Sequence, residues 1–449
     1  MRGITVSKAA DIVGGKLIND VSADKEILGA VIDSRQVTDG ALFAAIKGER
    51  SDGHDYVNKA FELGAVCCLT ERVVENAVGS IIVVDDVQLA FKQLAEAYRE
   101  TLNIPIIGIA GSVGKTTAKE MVSSVLSEKY KVLKTEKNFN NELGVPLTLF
   151  RINPEHEVAV VEMGISDFGE MRRLAKMVKP TMAVYTLIGH AHLERLINLE
   201  GVLKAKTEMI EYMPSDAVLF LNGDDELLAS FDCPLSITYF GTEKNSSVRA
   251  ENISFSQNGS ECDIVCGERR IKAVIPSYGK HMIYAALEGA AVGIKIGLSD
   301  EEIASGILSY ETVGRRAAVI NTGYITLIDD CYNANPDSVK CSIDSLAQRK
   351  GRRVCILGDM LEMGTDVEAL HAGVGKYAAE RGIELLLCVG ERSKHTCEGA
   401  EDMEAYHFET NEDLIERLGE YIQQGDIVLV KASNSMRFDT ISEALKILK

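Results

Sequence analysis

Short apolar runs alternate with amphipathic stretches along most of the chain, and this alternation predicts strands that are each followed by a helix. The pattern is clearest from residue 104 onward, where apolar runs at 158–161, 182–187 and 217–221 separate helical stretches. Strands joined in this way pair in parallel and bury both faces of their sheet under helices. The predicted fold class is therefore α/β.

The same pattern divides the chain into three units. Residues 1–85 combine short strands with a helix and form a small N-terminal α/β domain, and residues 86–101 form an amphipathic helix expected to be a linker. Residues 102–312 form a central parallel-sheet domain that includes an antiparallel meander at 250–276. Residues 313–449 form a Rossmann-like, doubly wound domain. A length of 449 residues fits about three domains of ordinary size.

A glycine-rich turn at 111–117 is the most specific chemical signal in the chain. It follows the predicted strand at 104–110 and opens a helix, which is the arrangement of a phosphate-binding loop. The alternative is a strand-to-helix turn without a ligand, and the Gly-Lys-Thr-Thr sequence argues against it. The residues expected to bind nucleotide phosphates are Gly111, Ser112, Val113, Gly114, Lys115, Thr116 and Thr117.

Other polar side chains follow the predicted strands of the central unit. Glu162 ends one apolar run, and His192 follows the next. Sites on parallel sheets gather at the carboxyl ends of strands, so Glu162 is a natural Mg²⁺ ligand and His192 a candidate ligand. The alternative for Glu162 is a solvated acid at a strand end. Lys206, taken alone, is typical of a solvated helix lysine.

Two segments are dense in side-chain amides. One runs from Asn138 to Pro146, and the other from Asp329 to Ser338. Helix capping explains single members of each segment, but two acids and two amides after one strand also favour ligand contacts.

The net charge of −19 argues against nucleic acid or an anionic membrane surface as the main partner. The first residues lack the apolar stretch of a signal peptide, and no apolar run is long enough to span a bilayer. We therefore expect a cytoplasmic protein, and we expect it to be a monomer.

Taken together, these motifs resemble those of the Mur ligase family over nearly the whole chain. The amide-rich segment at 138–146, the Tyr-Asn-Ala-Asn-Pro sequence at 332–336 and the Ala-Lys-Thr-Glu-Met sequence at 205–209 carry most of the resemblance. Within the family the chain is most similar to members that add D-alanyl-D-alanine. The resemblance implies ATP-dependent ligation of that dipeptide to UDP-N-acetylmuramoyl-tripeptide through an acyl phosphate.

The resemblance also implies roles for individual residues. It makes Lys115, Glu162, His192 and Lys206 the catalytic set, with two Mg²⁺ ions. The metal ligands would be Thr116, Glu162, His192 and a carbamylated Lys206. Further contacts to ATP would come from Asn138, His281 and Arg315. The residues expected to bind the two peptide substrates are Ser34, Arg35, Lys47, Asp52, Gly53, His54, Asn140, Asn141, Glu142, Asp330, Asn333, Asn335 and Lys431.

Three positions depart from the family pattern. Ala285 and Leu187 stand where the family carries asparagine, and Asn434 stands where it carries arginine. These departures concern adenine recognition and one anion contact. They leave open a nucleotide-binding relative without catalysis. Two further alternatives do not depend on these departures: a sister ligase that adds another amino acid, and a phosphate-loop ATPase that switches a partner.

Overall fold

The computed structural model describes residues 1–49, 51–256 and 259–449, which build three sheets. The α/β fold class is confirmed. Arg50, in a segment similar to the family's substrate domain, and the turn at 257–258 of the predicted meander lie outside the described residues. Within these ranges, no helix is long and apolar enough to cross a bilayer.

The N-terminal unit is a five-stranded sheet of order β1-β5-β4-β3-β2, parallel except for β1. Its elements are α1 (Val6–Val13), β1 (Lys16–Ile18), β2 (Gly29–Val31), β3 (Ala41–Ala44), α2 (Val57–Glu62), β4 (Cys67–Thr70), β5 (Ser80–Val83) and α3 (Val87–Arg99).

The helix predicted as a linker is α3, and it packs as part of the core. Asp86 caps it by accepting a hydrogen bond from Leu89 N at 2.9 Å. Its Phe91 ring meets Phe150 of the central unit with centroids 5.1 Å apart, and the Tyr98 hydroxyl donates to Ile152 O at 2.5 Å. One continuous apolar core therefore joins the first two units.

The central unit is a nine-stranded sheet of order β14-β13-β12-β11-β10-β9-β6-β8-β7. Strands β6 to β12 are parallel, and β12, β13 and β14 form the predicted antiparallel meander. Its elements are β6 (Ile106–Ala110), α4 (Lys115–Ser127), β7 (Val132–Lys134), α5 (Gly144–Phe150), β8 (Val158–Glu162), α6 (Glu170–Val178), β9 (Met182–Tyr185), α7 (Leu193–Leu196), α8 (Leu199–Thr207), β10 (Val218–Asn222), α9 (Glu226–Ala229), β11 (Ser236–Gly241), β12 (Val248–Ser256), β13 (Gly259–Cys266), β14 (Arg269–Ile275), α10 (Lys280–Ile296) and α11 (Asp300–Leu308).

The C-terminal unit is a six-stranded sheet of order β15-β16-β20-β17-β18-β19, parallel except for β15. Its elements are β15 (Ala318–Asn321), β16 (Thr326–Asp329), α12 (Pro336–Ala347), β17 (Arg353–Gly358), α13 (Val367–Glu380), β18 (Leu385–Val389), α14 (Lys394–Gly399), β19 (Glu404–Phe408), α15 (Asn411–Tyr421), β20 (Ile427–Lys431) and α16 (Asp439–Ile447). This is the predicted doubly wound arrangement, and the exact domain boundaries stay a prediction.

Candidate active site

The phosphate loop lies between β6 and α4. Gly111 has φ 148°, and a Cβ there would come within 1.9 Å of the Thr186 hydroxyl oxygen, so only glycine fits. Gly114, with φ 87°, directly precedes α4, whose first residue is Lys115. The helix therefore begins with its free N–H groups at the loop, as an anion site requires.

Lys115 is folded back onto its own loop. Its Nζ donates to Gly111 O at 2.8 Å. Burial lowers the pKa of Lys115, the Glu162 carboxylate opposes that shift, and the nearby Arg316 charge adds to it. Lys115 thus lies near both a negative and a positive side chain, and a bound phosphate would add further negative charge beside it.

Glu162 ends β8 with its side chain buried, and several groups fix its carboxylate. Oε2 accepts from the Thr116 hydroxyl at 2.9 Å, and Oε1 accepts from Asn140 Nδ2 at 2.8 Å. Lys119 Nζ lies 3.9 Å from Oε2 and donates to Thr135 O at 2.8 Å. Thr116 and Glu162 are therefore together, as predicted from their sequence motifs.

Sequence reasoning missed Lys119, which is only 1% exposed and pairs with Glu120 at 2.8 Å. The signal was present in the sequence, since Lys119 lies one helical turn after Lys115 on α4. Its charge offsets the cost of burying the Glu162 carboxylate.

Lys206 on α8 is also only 1% exposed, so the interpretation as a solvated helix lysine is wrong. Burial lowers its pKa well below the ordinary lysine value, and the positive charge of Lys115 lowers it further. The ε-amine is therefore neutral more readily than an exposed lysine amine.

His192 and Glu362 meet between the central and C-terminal units. His192 Nδ1 lies 2.5 Å from Glu362 Oε2, and Glu194 N donates to Glu362 O at 3.3 Å. Sequence reasoning missed Glu362, because no local pattern joins residues 170 positions apart.

The amide-rich segment after β7 divides into different roles. Asn140 orients Glu162, whereas the Asn141 side chain caps α5 by accepting from Gly144 N at 2.9 Å. Glu142 pairs with Lys92 at 2.8 Å and Arg173 at 2.5 Å. Burial opposes ionisation of Glu142, but these two partners outweigh it and lower the pKa. Asn138 is exposed.

The C-terminal unit contributes a cluster at the ends of β16 and β20. Lys431 Nζ, 4% exposed, donates to Asp330 Oδ2 at 2.6 Å and to Asn333 O at 3.1 Å. Asn335 caps α12 by accepting from Ser338 N at 2.8 Å. The capping interpretation thus holds for Asn335, while Asp330 and Lys431 form an ion pair.

This cluster faces the central unit. Burial lowers the pKa of His281 at the start of α10, the Asp330 charge raises it, and the Lys431 charge lowers it. In addition, Asp337 Oδ2 accepts from His190 N at 2.6 Å and lies 3.0 Å from His190 Nδ1. The C-terminal unit is therefore docked beside the phosphate loop.

The structure does not bring Arg315 to the phosphate loop. Its guanidinium lies 3.2 Å from Glu443, 3.6 Å from Asp439 and 3.8 Å from Asp329. The neighbouring Arg316 stacks on Tyr332, with the guanidinium carbon 3.8 Å from the ring centroid, and is the arginine whose charge reaches Lys115.

The candidate substrate residues of the N-terminal unit surround Asp52. Its carboxylate accepts from His54 N at 3.0 Å, pairs with His54 Nδ1 at 2.6 Å and pairs with Arg72 at 3.0 Å. These contacts, the His54 backbone N–H first, lower the pKa of Asp52. A Cβ at Gly53 would lie 2.7 Å from backbone atoms of Ile46. The close approach of these two backbones therefore requires glycine. The backbones of Lys47 and Asp52 are joined by an isolated antiparallel β-bridge.

Ser34 and Arg35 form a short 3₁₀ turn after β2. Asp33 caps it by accepting from Arg35 N at 3.0 Å, and the Arg35 side chain is 86% exposed. Arg35 is thus accessible to a ligand.

The three departures from the family pattern have different surroundings. Leu187 O accepts from Ser112 N at 2.7 Å, so the backbone at this position supports the loop. Ala285 is 2% exposed within the apolar cluster between α10 and α4, where an asparagine amide would be buried. Asn434 is exposed at the start of a 3₁₀ turn.

Thr116 and Glu162 supply two hard oxygen donors beside the phosphate loop, which fits Mg²⁺ because that ion takes few protein oxygens together with phosphates and water. Across 1–49, 51–256 and 259–449, no three His, Cys, Asp or Glu side chains form a group that could hold a metal ion.

Three protein-family models match the chain. The Mur ligase family catalytic domain matches residues 26–107, the Mur ligase middle domain matches 109–293, and the Mur ligase glutamate ligase domain matches 315–434. The chain is 35% identical to the UDP-N-acetylmuramoyl-tripeptide–D-alanyl-D-alanine ligase of Bacillus subtilis over 98% of both chains. It is 33% identical to the Escherichia coli protein of the same name over 99% of both.

Two solved structures are similar over most of the chain. MurF from Acinetobacter baumannii superimposes with a TM-score of 0.91 at 29% identity and covers 99% of this chain and 98% of its own. The MurF ligase of Thermotoga maritima in complex with ADP has a TM-score of 0.84 at 25% identity and covers 94% of this chain and 98% of its own.

Proposed function

The chain belongs to the Mur ligase family, and on that premise we propose that it joins D-alanyl-D-alanine to UDP-N-acetylmuramoyl-tripeptide with ATP. The observation that carries the proposal is the meeting of Lys115, Thr116 and Glu162 at the carboxyl edge of the central sheet, beside a docked C-terminal domain. Relatives aligned along the full chain bear the name of this reaction.

Joining a carboxylate to an amine requires activation of the carboxylate. The terminal carboxylate oxygen of the tripeptide attacks the γ-phosphorus of ATP, and ADP leaves. The amine of D-alanyl-D-alanine then attacks the acyl carbon, loses a proton, and expels phosphate as the amide forms. Lys115 offsets charge on the transferring phosphoryl group, and the loop N–H groups orient the phosphates.

Docking of the C-terminal domain would protect the acyl phosphate from water. Asp330 and Lys431 stand at the face that would close over it. We expect them, together with Asn333 and Asn335, to contact the peptide substrates.

We propose that Thr116 and Glu162 hold a Mg²⁺ ion, which would neutralise phosphate charge during transfer. His192 and Lys206 would hold a second ion. A neutral amine is the form that reacts with CO₂, and the buried Lys206 favours that form. Carbamylation would replace an ammonium group with an anionic oxygen donor. Arg315 and Asn138 stay predicted ATP contacts, as does His281.

The N-terminal domain would bind the nucleotide-sugar part of the precursor. Asp52 and His54 are fixed by one another, and the Arg35 side chain is exposed. A cytoplasmic location, where ATP is available, and a monomeric state complete the proposal.

The proposal is tested by measuring phosphate release with each substrate alone and with both. Release should require tripeptide precursor and D-alanyl-D-alanine together, and Lys115→Ala should abolish it in a protein that keeps its circular dichroism spectrum. A switch ATPase would release phosphate without either peptide substrate. A sister ligase would prefer another amine, and a relative without catalysis would release none.

A further inference from the structure

Two non-glycine residues with left-handed backbones meet across the boundary between the central and C-terminal domains. His192 has φ 56° and Glu362 has φ 62°. Such a backbone is uncommon for residues other than glycine and persists where the surrounding structure requires it. The two side chains form a 2.5 Å contact between Nδ1 and Oε2.

The loop that carries Glu362 is fixed within the C-terminal domain. Leu361 N donates to the Ser433 hydroxyl at 2.9 Å, and Met360 N donates to His371 Nε2 at 3.0 Å. The Met360 and Met363 side chains on either side of Leu361 and Glu362 are buried. The carboxylate is therefore presented from a loop whose backbone is held by hydrogen bonds and flanked by buried side chains.

Helix α7 of the central domain lies close to the loop that carries Glu362. Glu362 O accepts from Glu194 N at 3.3 Å, and a Cβ on Gly364 would lie 3.3 Å from the Leu193 backbone. The first turn of α7 thus packs against this loop, and His192 is the residue directly before that turn.

We propose that Glu362 is a positioning residue: its carboxylate accepts the Nδ1–H of His192 and thereby fixes the tautomer in which Nε2 carries the lone pair for a metal ion. A metal-binding histidine is oriented by the group that holds its other ring nitrogen. The carboxylate comes from the C-terminal domain, so docking of that domain completes a metal ligand of the central domain. The inference rests on the proposed metal role of His192.

Four variants separate loss of the hydrogen-bond acceptor from backbone strain and from loss of charge. Glu362→Ala removes the acceptor. Glu362→Gly also removes it, but introduces a residue that adopts the left-handed backbone without strain. Glu362→Gln keeps an oxygen acceptor without the charge. Glu398→Ala is the matched control, because it removes another carboxylate of the same domain that contacts a histidine, His395 Nδ1, at 2.7 Å.

The first readout is the tautomer of His192 in the metal-free, nucleotide-free protein, measured by long-range ¹H–¹⁵N NMR with the signal assigned by a His192→Asn variant. We expect the Nδ1–H form in the wild type, Glu362→Gln and Glu398→Ala, and a mixture of tautomers in Glu362→Ala and Glu362→Gly. An unchanged tautomer in Glu362→Ala and Glu362→Gly would overturn the proposal, as would an altered one in Glu362→Gln.

The second readout is the Mg²⁺ concentration for half-maximal ligation. It should rise about 10–100-fold in Glu362→Ala and Glu362→Gly, and stay near the wild-type value in Glu362→Gln and Glu398→Ala. If His192→Asn leaves the Mg²⁺ requirement unchanged, the metal role of His192 fails. If the wild type ligates nothing, the proposed function fails, and the NMR readout still decides whether Glu362 sets the tautomer.

Discussion

At the residue scale, burial separates side chains that look alike in the sequence. Lys204 and Lys206 lie two positions apart on α8, yet Lys204 is exposed and Lys206 is buried. Composition and periodicity cannot make that distinction, because it depends on what packs over the helix. The resemblance to a family identified Lys206, whereas the physical reason for a neutral amine became visible only in the fold.

A buried lysine should cost stability. Because burial lowers the folded pKa of Lys206 well below 10.5, folding costs free energy at every pH at which the lysine of the unfolded chain is protonated. Lys206→Met should therefore raise the free energy of unfolding of the metal-free protein by about 1–3 kcal/mol while abolishing ligation. The gain should shrink as pH rises through 10.5, because the lysine of the unfolded chain also becomes neutral above that pH.

Urea unfolding at several pH values measures this gain. The control is Lys204→Met, which should change stability little at any pH. A Lys206→Met protein that is less stable than the wild type at neutral pH would indicate that Lys206 is charged and paired in the folded protein.

At the scale of elements, the strands were predictable and some of their packing partners were not. Apolar runs predicted β8 and β10 to within about two residues at each end, as local pattern allows. Strand β19 could not be predicted from local pattern, because its Glu-Ala-Tyr-His-Phe sequence lacks an apolar run and it lies at the edge of its sheet. Helix α3 was predicted correctly, but its role as a core element depends on contacts with residues about 50 positions away.

Helix α4 is held between helices that approach it through glycines. A Cβ at Gly306 of α11 would lie 2.4 Å from Val125 Cα, which is a backbone atom that cannot move without shifting α4. Gly306→Ala should therefore destabilise the protein by about 1–3 kcal/mol through overpacking. Thermal or urea unfolding measures the change.

Gly419 provides the matched control. It lies on the exposed face of α15, and a Cβ there would meet nothing within 4 Å. Gly419→Ala should stabilise the protein by about 0.5–1 kcal/mol, since alanine lowers the entropy of the unfolded chain. Equal effects of the two substitutions would contradict the close approach of α11 to α4.

At the scale of the whole molecule, the C-terminal domain docks through α12. Asp337 contacts His190 at the first turn of this helix, and Tyr278 stacks on Arg349 just beyond its last turn, with the guanidinium carbon 4.8 Å from the ring centroid. The sequence predicted three domains with a phosphate loop in the central one. It could not identify the docking residues, since His190 and Asp337 are 147 positions apart.

Asp337→Ala should loosen this docking. The Asp337–His190 pair is partly exposed, so we expect the free energy of domain docking to fall by up to about 1 kcal/mol. The KM for ATP should then increase by up to about fivefold. The radius of gyration from small-angle X-ray scattering should also rise. Asp344→Ala is the control, because Asp344 lies on the same helix but pairs with Arg381 at 2.7 Å inside the C-terminal domain. If both variants scatter like the wild type, α12 does not control docking.

The central claim is that ATP activates the tripeptide carboxylate for attack by D-alanyl-D-alanine. Mass spectrometry of a reaction with precursor labelled by ¹⁸O in its terminal carboxylate tests this claim directly. We predict a product whose mass equals that of the labelled precursor plus D-alanyl-D-alanine minus the elements of H₂¹⁸O, with that one ¹⁸O recovered in inorganic phosphate. Absence of the product, or a product formed with unlabelled phosphate, would contradict the account.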